Sequence, residues 1–461
     1  MYMYALFSVI VLVLSFYLFK KAAGTMSLLR LNIVSFIFYV QLFILTFIGI
    51  NLSLFGVYHY RISLASKQSL FSSYFAVCYV MLIMPSSMIL AQKLLFRGEI
   101  KKKLHNYLGS RLRPLQSEGD NALVLYCVVL SVIAFFATIY TFSQIKELPM
   151  VAVLVDKVDP VSFNRLRIEA SKEFSGNIYI RNLFSLFLGP FVSYIAYAYN
   201  FLYKSLRYKL WFYFTAIVAL MALLSTGEKA LPIEYLITIF IIKSTIKGKS
   251  SVKDLIKIVV LTLGLILGFY VLITGRLDVS INSGPLGRLL MGQVAALPLT
   301  FDIFPRIHPF LNGGSFPAWL SSMLGVEHAR SARLLMEIFS PLYIKAGAAG
   351  VMNTLFIAEA WANFGFIGLL LAPVIVGVIV QFVYNQLISL PKTPVFLAVI
   401  GYFIFGFPIT GGFVDFLWNP VWLFMVAIIL LGIYISSLSF RKSFRRGRLK
   451  NYGHFSLSTS N

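Results

Sequence analysis

The sequence is short of charge. Lys, Arg, Asp and Glu make up 12% of its 461 residues, about half the share found in a soluble domain. That is too few to cover the surface of a water-soluble protein of this length. Cysteine is nearly absent. Cys78 and Cys127 both lie inside apolar runs, which leaves no disulfide or metal framework. The five histidines, His59, His105, His308, His328 and His454, are scattered without the spacing of a zinc site. Acids are scarcer than bases, 17 against 40, for a net charge of +23. On a soluble chain that excess would point to nucleic acid, but its distribution along this chain argues against nucleic acid.

What the chain does have is long apolar runs. Hydrophobic residues are 59% of it and mean hydropathy is +0.83. A span needs about 20 apolar residues. Candidates run over 2–19, 31–52, 69–92, 121–143, 181–203, 210–226, 230–246, 256–274, 354–388, 394–411 and 420–438. The expected fold is therefore all-α, a polytopic membrane protein with about eleven transmembrane helices. The first run has no basic n-region and no small-residue cleavage site, so it reads as an uncleaved span. The 354–388 stretch exceeds one span, so its start is expected along the interface or lining a cavity. The organisation expected is eight spans within 1–274 with a first outer loop at 144–180, a large outer loop at 275–353, three spans in 354–438 and a basic tail at 439–461. The large loop contains Trp319, several Phe and Pro, and helix-like apolar stretches at 315–325 and 330–345. It reads as a folded cap with short amphipathic helices at the membrane surface.

Charge orients the chain. With the N-terminus outside, the cytoplasmic segments are 20–30, 93–120, 204–209, 243–257, 389–393 and 439–461. They hold 25 Lys and Arg with four acids, and everything else holds 15 with 13, so the charge is +21 against +2. The positive-inside rule selects this orientation, with the C-terminus cytoplasmic. The cluster Arg97, Lys101, Lys102 and Lys103 and the tail RKSFRRGRLK read as topology signals.

The outer face is arginine-rich. The first loop has Arg165, Arg167 and Lys172, with Arg181 opening the next span. The second has Arg276, Arg288, Arg306, Arg330 and Arg333. The planar guanidinium fork suits phosphate and carboxylate. Arginines converging from two loops would suit a lipid-linked diphosphate. Alternatively each pairs with a nearby acid such as Glu169, Glu173, Asp278 or Asp302. In STGEKALP, Glu228 and Lys229 sit at the outer end of a span with Glu234 inside the next. Ionisable residues at membrane depth suggest function, although this pair also reads as a hairpin cap. In ARSARLLMEIFSPLY, Arg330, Arg333 and Glu337 are spaced i, i+3 and i+7. They are expected on one helix face that ends at Pro341. That face either holds a phosphate beside a base or is simply solvated. Asn353, Glu359 and Asn363 precede a long apolar run, and Glu359 is a candidate carboxylate at the rim of a span.

These features together resemble the O-antigen polymerases (Wzy) and the broader oligosaccharide repeat-unit polymerases. The likeness covers about residues 160–390. It is carried by RLRIEASKEFSGNIYIRNLFSLFLGPFVSYIAYAYNFLYK, the outer G-E-K turn, the long loop ending RLLMEIFSP, and N-x5-E-A-x2-N-F-G-x2-G entering the next span. The resemblance implies a GT-C-like architecture in the bacterial inner membrane and a periplasmic reaction. A growing glycan would pass from undecaprenyl diphosphate to a sugar hydroxyl of a lipid-linked repeat unit. It implies no nucleotide sugar, no cofactor and no metal. The implied partners are the undecaprenyl-diphosphate-linked oligosaccharide, membrane lipid and a chain-length regulator. In that chemistry Glu337, Glu359 and Glu228 are the candidate catalytic carboxylates. Arg165, Arg167, Arg181, Lys229, Arg276, Arg288, Arg330, Arg333 and Asn353 are the candidate substrate-binding residues. An O-antigen ligase shares the donor and the large loop, and would be expected to use His308 or His328. A lipid-linked oligosaccharide flippase is the transporter alternative, and the long 275–353 loop argues against it.

Overall fold

Apolar runs in lipid must satisfy their own backbone hydrogen bonds, and an isolated segment does so only as a helix. The computed structural model describes residues 2–115, 120–155, 158–275, 280, 284–348, 350–352 and 354–453, with side chains as far as 438. Among these the chain is all-helical, without a strand. Eight helices are long and apolar enough to cross a membrane: Tyr2–Arg30, Ile33–Leu54, Lys67–Leu95, Asp120–Gln144, Leu206–Ser225, Val252–Thr274, Ile357–Ser389 and Val414–Leu438. The other three expected spans coincide with the helices Leu188–Tyr203, Ala230–Lys247 and Pro394–Phe405. The first continues without a break from the π-helical segment Ile180–Phe187, and the last is short. The middle one carries Glu234, Lys243 and Lys247. The protein is a multi-pass helical membrane protein.

The helix Ile357–Ser389 runs along Lys67–Leu95, which also packs against the first helix. Interhelical hydrogen bonds support the pairing, as is common where lipid supplies no hydrophobic drive between helices. The Tyr79 hydroxyl donates to the Leu370 carbonyl (3.0 Å), and the Ser87 hydroxyl to Pro373 (3.3 Å). On the other side Leu188–Tyr203 is packed against Leu206–Ser225, Pro394–Phe405 and Asp120–Gln144.

The connections gather at two ends. At one end Gly24 lies against the Lys101 backbone, and Ser250 N–H donates to Leu29. There too Arg113 N–H donates to Lys392, and the Lys392 ammonium reaches Leu108 and Thr245. These are the lysine-rich segments grouped by the positive-inside count. At the other end the segments around 60, 160, 228, 300, 330 and 415 meet.

The described residues of the 275–353 segment form the helices Pro285–Leu290, Ala296–Ile303, Ala318–Met323, Ser331–Phe339 and Pro341–Lys345. One of these does not rest on a surface. Ala296–Ile303 is buried on nearly every side and wedges between Lys67–Leu95 and Ile357–Ser389. Its run ALPLTFDI is apolar but for Thr300 and Asp302, as suits a buried helix with one polar anchor.

Asp302 pins this wedge. It accepts from Ser66 N–H (2.7 Å), the Ser66 hydroxyl (2.6 Å) and the Ser69 hydroxyl (2.7 Å) at the start of the 67–95 helix. Burial opposes ionisation of Asp302. The Ser66 and Ser69 donors and the nearby Arg306 outweigh it and hold the carboxyl below its usual range. A depressed carboxyl stabilises the fold above its unfolded pKa and loses that contribution as pH falls through the folded value. Asp302→Asn is therefore expected to lower thermal stability in detergent at neutral pH. The gap to wild type should close below about pH 4. A gap that stays constant through that range would show that ionisation of Asp302 contributes nothing.

Candidate active site

The excess length of the 357–389 helix is used at its start. Gly365 interrupts it with φ +55°, and the Phe310 ring stands 2.9 Å from where a side chain would begin. A kink frees carbonyls that must find other donors. Leu311 N–H donates to Ala362 (2.9 Å) and Asn312 N–H to Asn363 (3.0 Å). The buried Asn363 side chain closes the junction, donating to the Ser315 hydroxyl (2.9 Å) and the Glu359 carbonyl (2.8 Å). The turn carrying Glu359 is thus fixed against the cap.

Glu359 is 5% exposed and does not sit idle at the rim. Its Oε1 accepts from Arg330 (3.3 Å) and its Oε2 from Val414 N–H (3.0 Å). Arg330 reaches Asp415 Oδ1 with its other terminal nitrogen (2.8 Å). One guanidinium therefore ties two carboxylates. Gly412 makes the convergence possible: a Cβ there would press on Glu359 Oε2 and stand 2.9 Å from Asp415 Oδ2 and 3.0 Å from Arg330 Nη1. The three charged groups line a cleft of about 250 Å³ together with Lys172, Thr300 and Thr354. The Thr354 hydroxyl is buried there without a partner.

A second cluster is cationic and comes from separate segments. The helix Pro160–Ser171 starts cleanly, with Asp159 Oδ1 accepting from Val161 and Ser162 N–H (2.8 and 3.2 Å) and Pro160 in the first turn. It carries Arg167 to the turn between 225 and 230, where the Arg167 stem packs at Gly227. The Arg167 Nε is buried and has no partner. Lys229 lies beside it, its ammonium 5.6 Å from the centre of the Tyr270 ring. Burial, then Arg288 and Arg167, pull Lys229 down to about 8. Arg288 enters from the large loop. His59, from the turn after the second helix, is 2% exposed with Nδ1 unpartnered. Burial, then Arg61 and Arg288, push it down to about 4, so it is neutral at pH 7. Burial depresses both groups first, and the neighbouring cations add to it. Lys172 follows Arg167 by five residues at the end of the same helix, about 8 Å along its axis. One helix thus serves both the cationic cluster and the cleft.

Other expected residues part company. Arg330 is not on a face with Arg333 and Glu337. The helix begins at Ser331, with Arg330 in extended conformation before it, so the Arg330 side chain turns to Glu359 and Asp415. Arg333 and Glu337 pair with each other (2.9 Å), each 45% exposed, as a solvated i, i+4 pair. The helix does stop before Pro341, as expected. Arg165 pairs with Glu169 (3.6 Å) on an exposed face. Buried Arg181 donates to the Ala170 carbonyl (3.0 Å) and Asn182 (3.0 Å) and stacks on Phe174, which ties the first loop to the following helix. Glu228 lies in the turn beside Lys229, half-buried and in electrostatic reach of Arg181. His308 and His328 each direct Nδ1 at a backbone carbonyl, Pro309 (2.7 Å) and Gly314 (3.1 Å). Arg276 and Asn353 lie outside the described residues.

Sequence reasoning missed Asp415, His59 and Thr354 as site residues. Asp415 carried a signal, an acid at the entry to the last span in GGFVDF. His59 and Thr354 carried none, since only long-range packing buries them.

No family model, curated protein or solved structure matches the chain.

Proposed function

We propose that the protein is a lipid-linked oligosaccharide polymerase of the O-antigen type, acting at the outer face of a bacterial inner membrane with its lysine-rich end in the cytoplasm and an architecture of the GT-C kind. The observation that carries the reading is the convergence of Arg167, Lys229 and Arg288 from three separate segments at one place. Grouped cations of this kind, outnumbering the one nearby described carboxylate, Glu228, suit a diphosphate whose charge grows as it leaves.

The donor glycan would be held with its lipid diphosphate on this cluster. The acceptor would lie in the adjoining cleft. Its hydroxyl oxygen bonds to the donor anomeric carbon as the bond to the diphosphate breaks. The electron pair departs on the lipid diphosphate, and the hydroxyl proton goes to a carboxylate. Asp415 is assigned that role in this reading. Its side chain is 34% exposed, with Oδ1 held by Arg330 and Oδ2 turned toward Gly412 in the cleft. Glu359, 6% exposed and bonded on both oxygens, positions Arg330. Glu337 takes no part.

The test is an in vitro assay of purified protein with lipid-linked repeat units, read as a ladder of chain lengths. Asp415→Asn is expected to lose about 10²-fold or more in rate, the contribution of a positioned base, while Glu337→Gln keeps the wild-type ladder. A wild-type protein that elongates no lipid-diphosphate-linked glycan sinks the reading. An active Asp415→Asn removes its base.

A further inference from the structure

The opposite end of the bundle holds a second basic cavity, of about 590 Å³. It is bounded by the amphipathic helix Ile100–Gly109, the strand-like run that follows it, and the turn after the 357–389 helix. Ile100, Leu104 and Tyr107 bury the apolar face of the short helix. Its polar face then borders the cavity with Lys103 and Asn106, and Arg111 and Arg113 follow from the adjoining run. Arg113 N–H donates to the Lys392 carbonyl (3.1 Å), which fixes this run against the turn.

The cations here have different tasks. Lys392 is 1% exposed. Its ammonium donates to the Leu108 (2.9 Å) and Thr245 (3.1 Å) carbonyls and lies over the Tyr107 ring (5.2 Å). It is a buried charge with only dipoles and a ring as partners. Burial pulls it down to about 8. Lys103 donates to Asn385 Oδ1 (3.1 Å). Arg111 and Arg113 have exposed side chains at the mouth. No acid lines the cavity among the described residues. Tyr107 also borders it, 5% exposed, and its hydroxyl is buried with no hydrogen-bond partner. A buried, unsatisfied donor costs free energy unless something completes it.

We propose that this cavity binds a phosphate group, with Arg111 and Arg113 as its forked donors, Lys392 as fixed charge behind it and the Tyr107 hydroxyl as a buried donor. Topology alone explains a surplus of lysines at this end. It does not explain an open basic groove of ligand size, an ammonium buried behind it and an orphan hydroxyl beside it. Two sources offer the same chemistry: the phosphodiester headgroup of an anionic lipid, and a soluble phosphate ester.

The experiment uses the full chain in a neutral detergent and reads retained ligand by native mass spectrometry. One arm offers phosphatidylglycerol against phosphatidylcholine, and the other offers glycerol 3-phosphate. Wild type is expected to retain phosphatidylglycerol or glycerol 3-phosphate at least tenfold over phosphatidylcholine, and the arm that responds names the source. Arg111→Ala/Arg113→Ala should lower retention about fivefold or more. Tyr107→Phe keeps the ring beneath Lys392 and removes only the hydroxyl, so the fold is kept and retention should fall several-fold. Lys101→Ala/Lys102→Ala removes two charges from the same helix outside the cavity and should leave retention unchanged. Absence of binding in both arms overturns the proposal. An equal fall in the Lys101/Lys102 variant also overturns it, since net charge alone would then explain binding. Unchanged retention in Tyr107→Phe removes the hydroxyl from the site.

Discussion

Arg330→Ala is expected to destabilise the protein by about 3 kcal/mol or more, the cost of leaving a buried carboxylate without its cation. Glu359 is 5% exposed and keeps one N–H donor, Val414, when the guanidinium is gone. Asp415 loses its 2.8 Å partner as well. Two carboxylates would then face each other around Gly412 with no positive charge between them. Neutralising the buried one should relieve most of this, because an amide needs no counter-charge. The double variant Arg330→Ala/Glu359→Gln is therefore expected to melt well above Arg330→Ala alone, though still below wild type. Polymerisation should be lost in both, since Asp415 is no longer held. Thermal unfolding in detergent decides it. If Arg330→Ala melts with wild type, the ion pair does not organise the cleft. If the double variant is no better than the single one, the penalty is not the stranded charge of Glu359.

Loss of the cationic cluster is expected to have the largest effect on activity. Arg167→Ala or Arg288→Ala should reduce the rate of chain growth about 10²-fold, in line with removing one donor from a charge-stabilising site. Lys229 makes the effect visible in pH. Its ammonium titrates near 8, pulled down first by burial and then by Arg288 and Arg167. It is positive below that value and neutral above it, so binding of a diphosphate should weaken as pH rises through about 8. His59 has already lost its proton near 4 and adds nothing in this window. The guanidinium groups keep their charge throughout. Lys229→Arg should therefore flatten the profile, because its charge does not titrate below pH 12. The measurement is the ratio of wild-type to Lys229→Arg affinity for inorganic pyrophosphate between pH 6.5 and 9.5, by calorimetry on the purified protein, which cancels the ligand's own ionisation. A ratio that stays constant across this range would take Lys229 out of the site.

The sequence by itself determined the class of the fold. Runs of about 20 apolar residues have one stable form in lipid, and the expected spans all fall on helices. It also determined which connections belong together. The lysine-rich segments near 24, 101, 250 and 392 do meet at one end, because charge bias and helix alternation are both local to the chain. The excess length of the run from 354 left its start either along the interface or lining a cavity, and Glu359 lines a cleft. Only the tertiary structure decided which charges meet. Helical spacing put Arg330 with Arg333 and Glu337, but a one-residue difference in where the helix starts sent Arg330 the other way. Its partners are 29 and 85 positions distant, and periodicity carries no information over that range. Arg167, Lys229 and Arg288 are brought together in the same way, by the packing of three segments whose separations in sequence say nothing about distance in space.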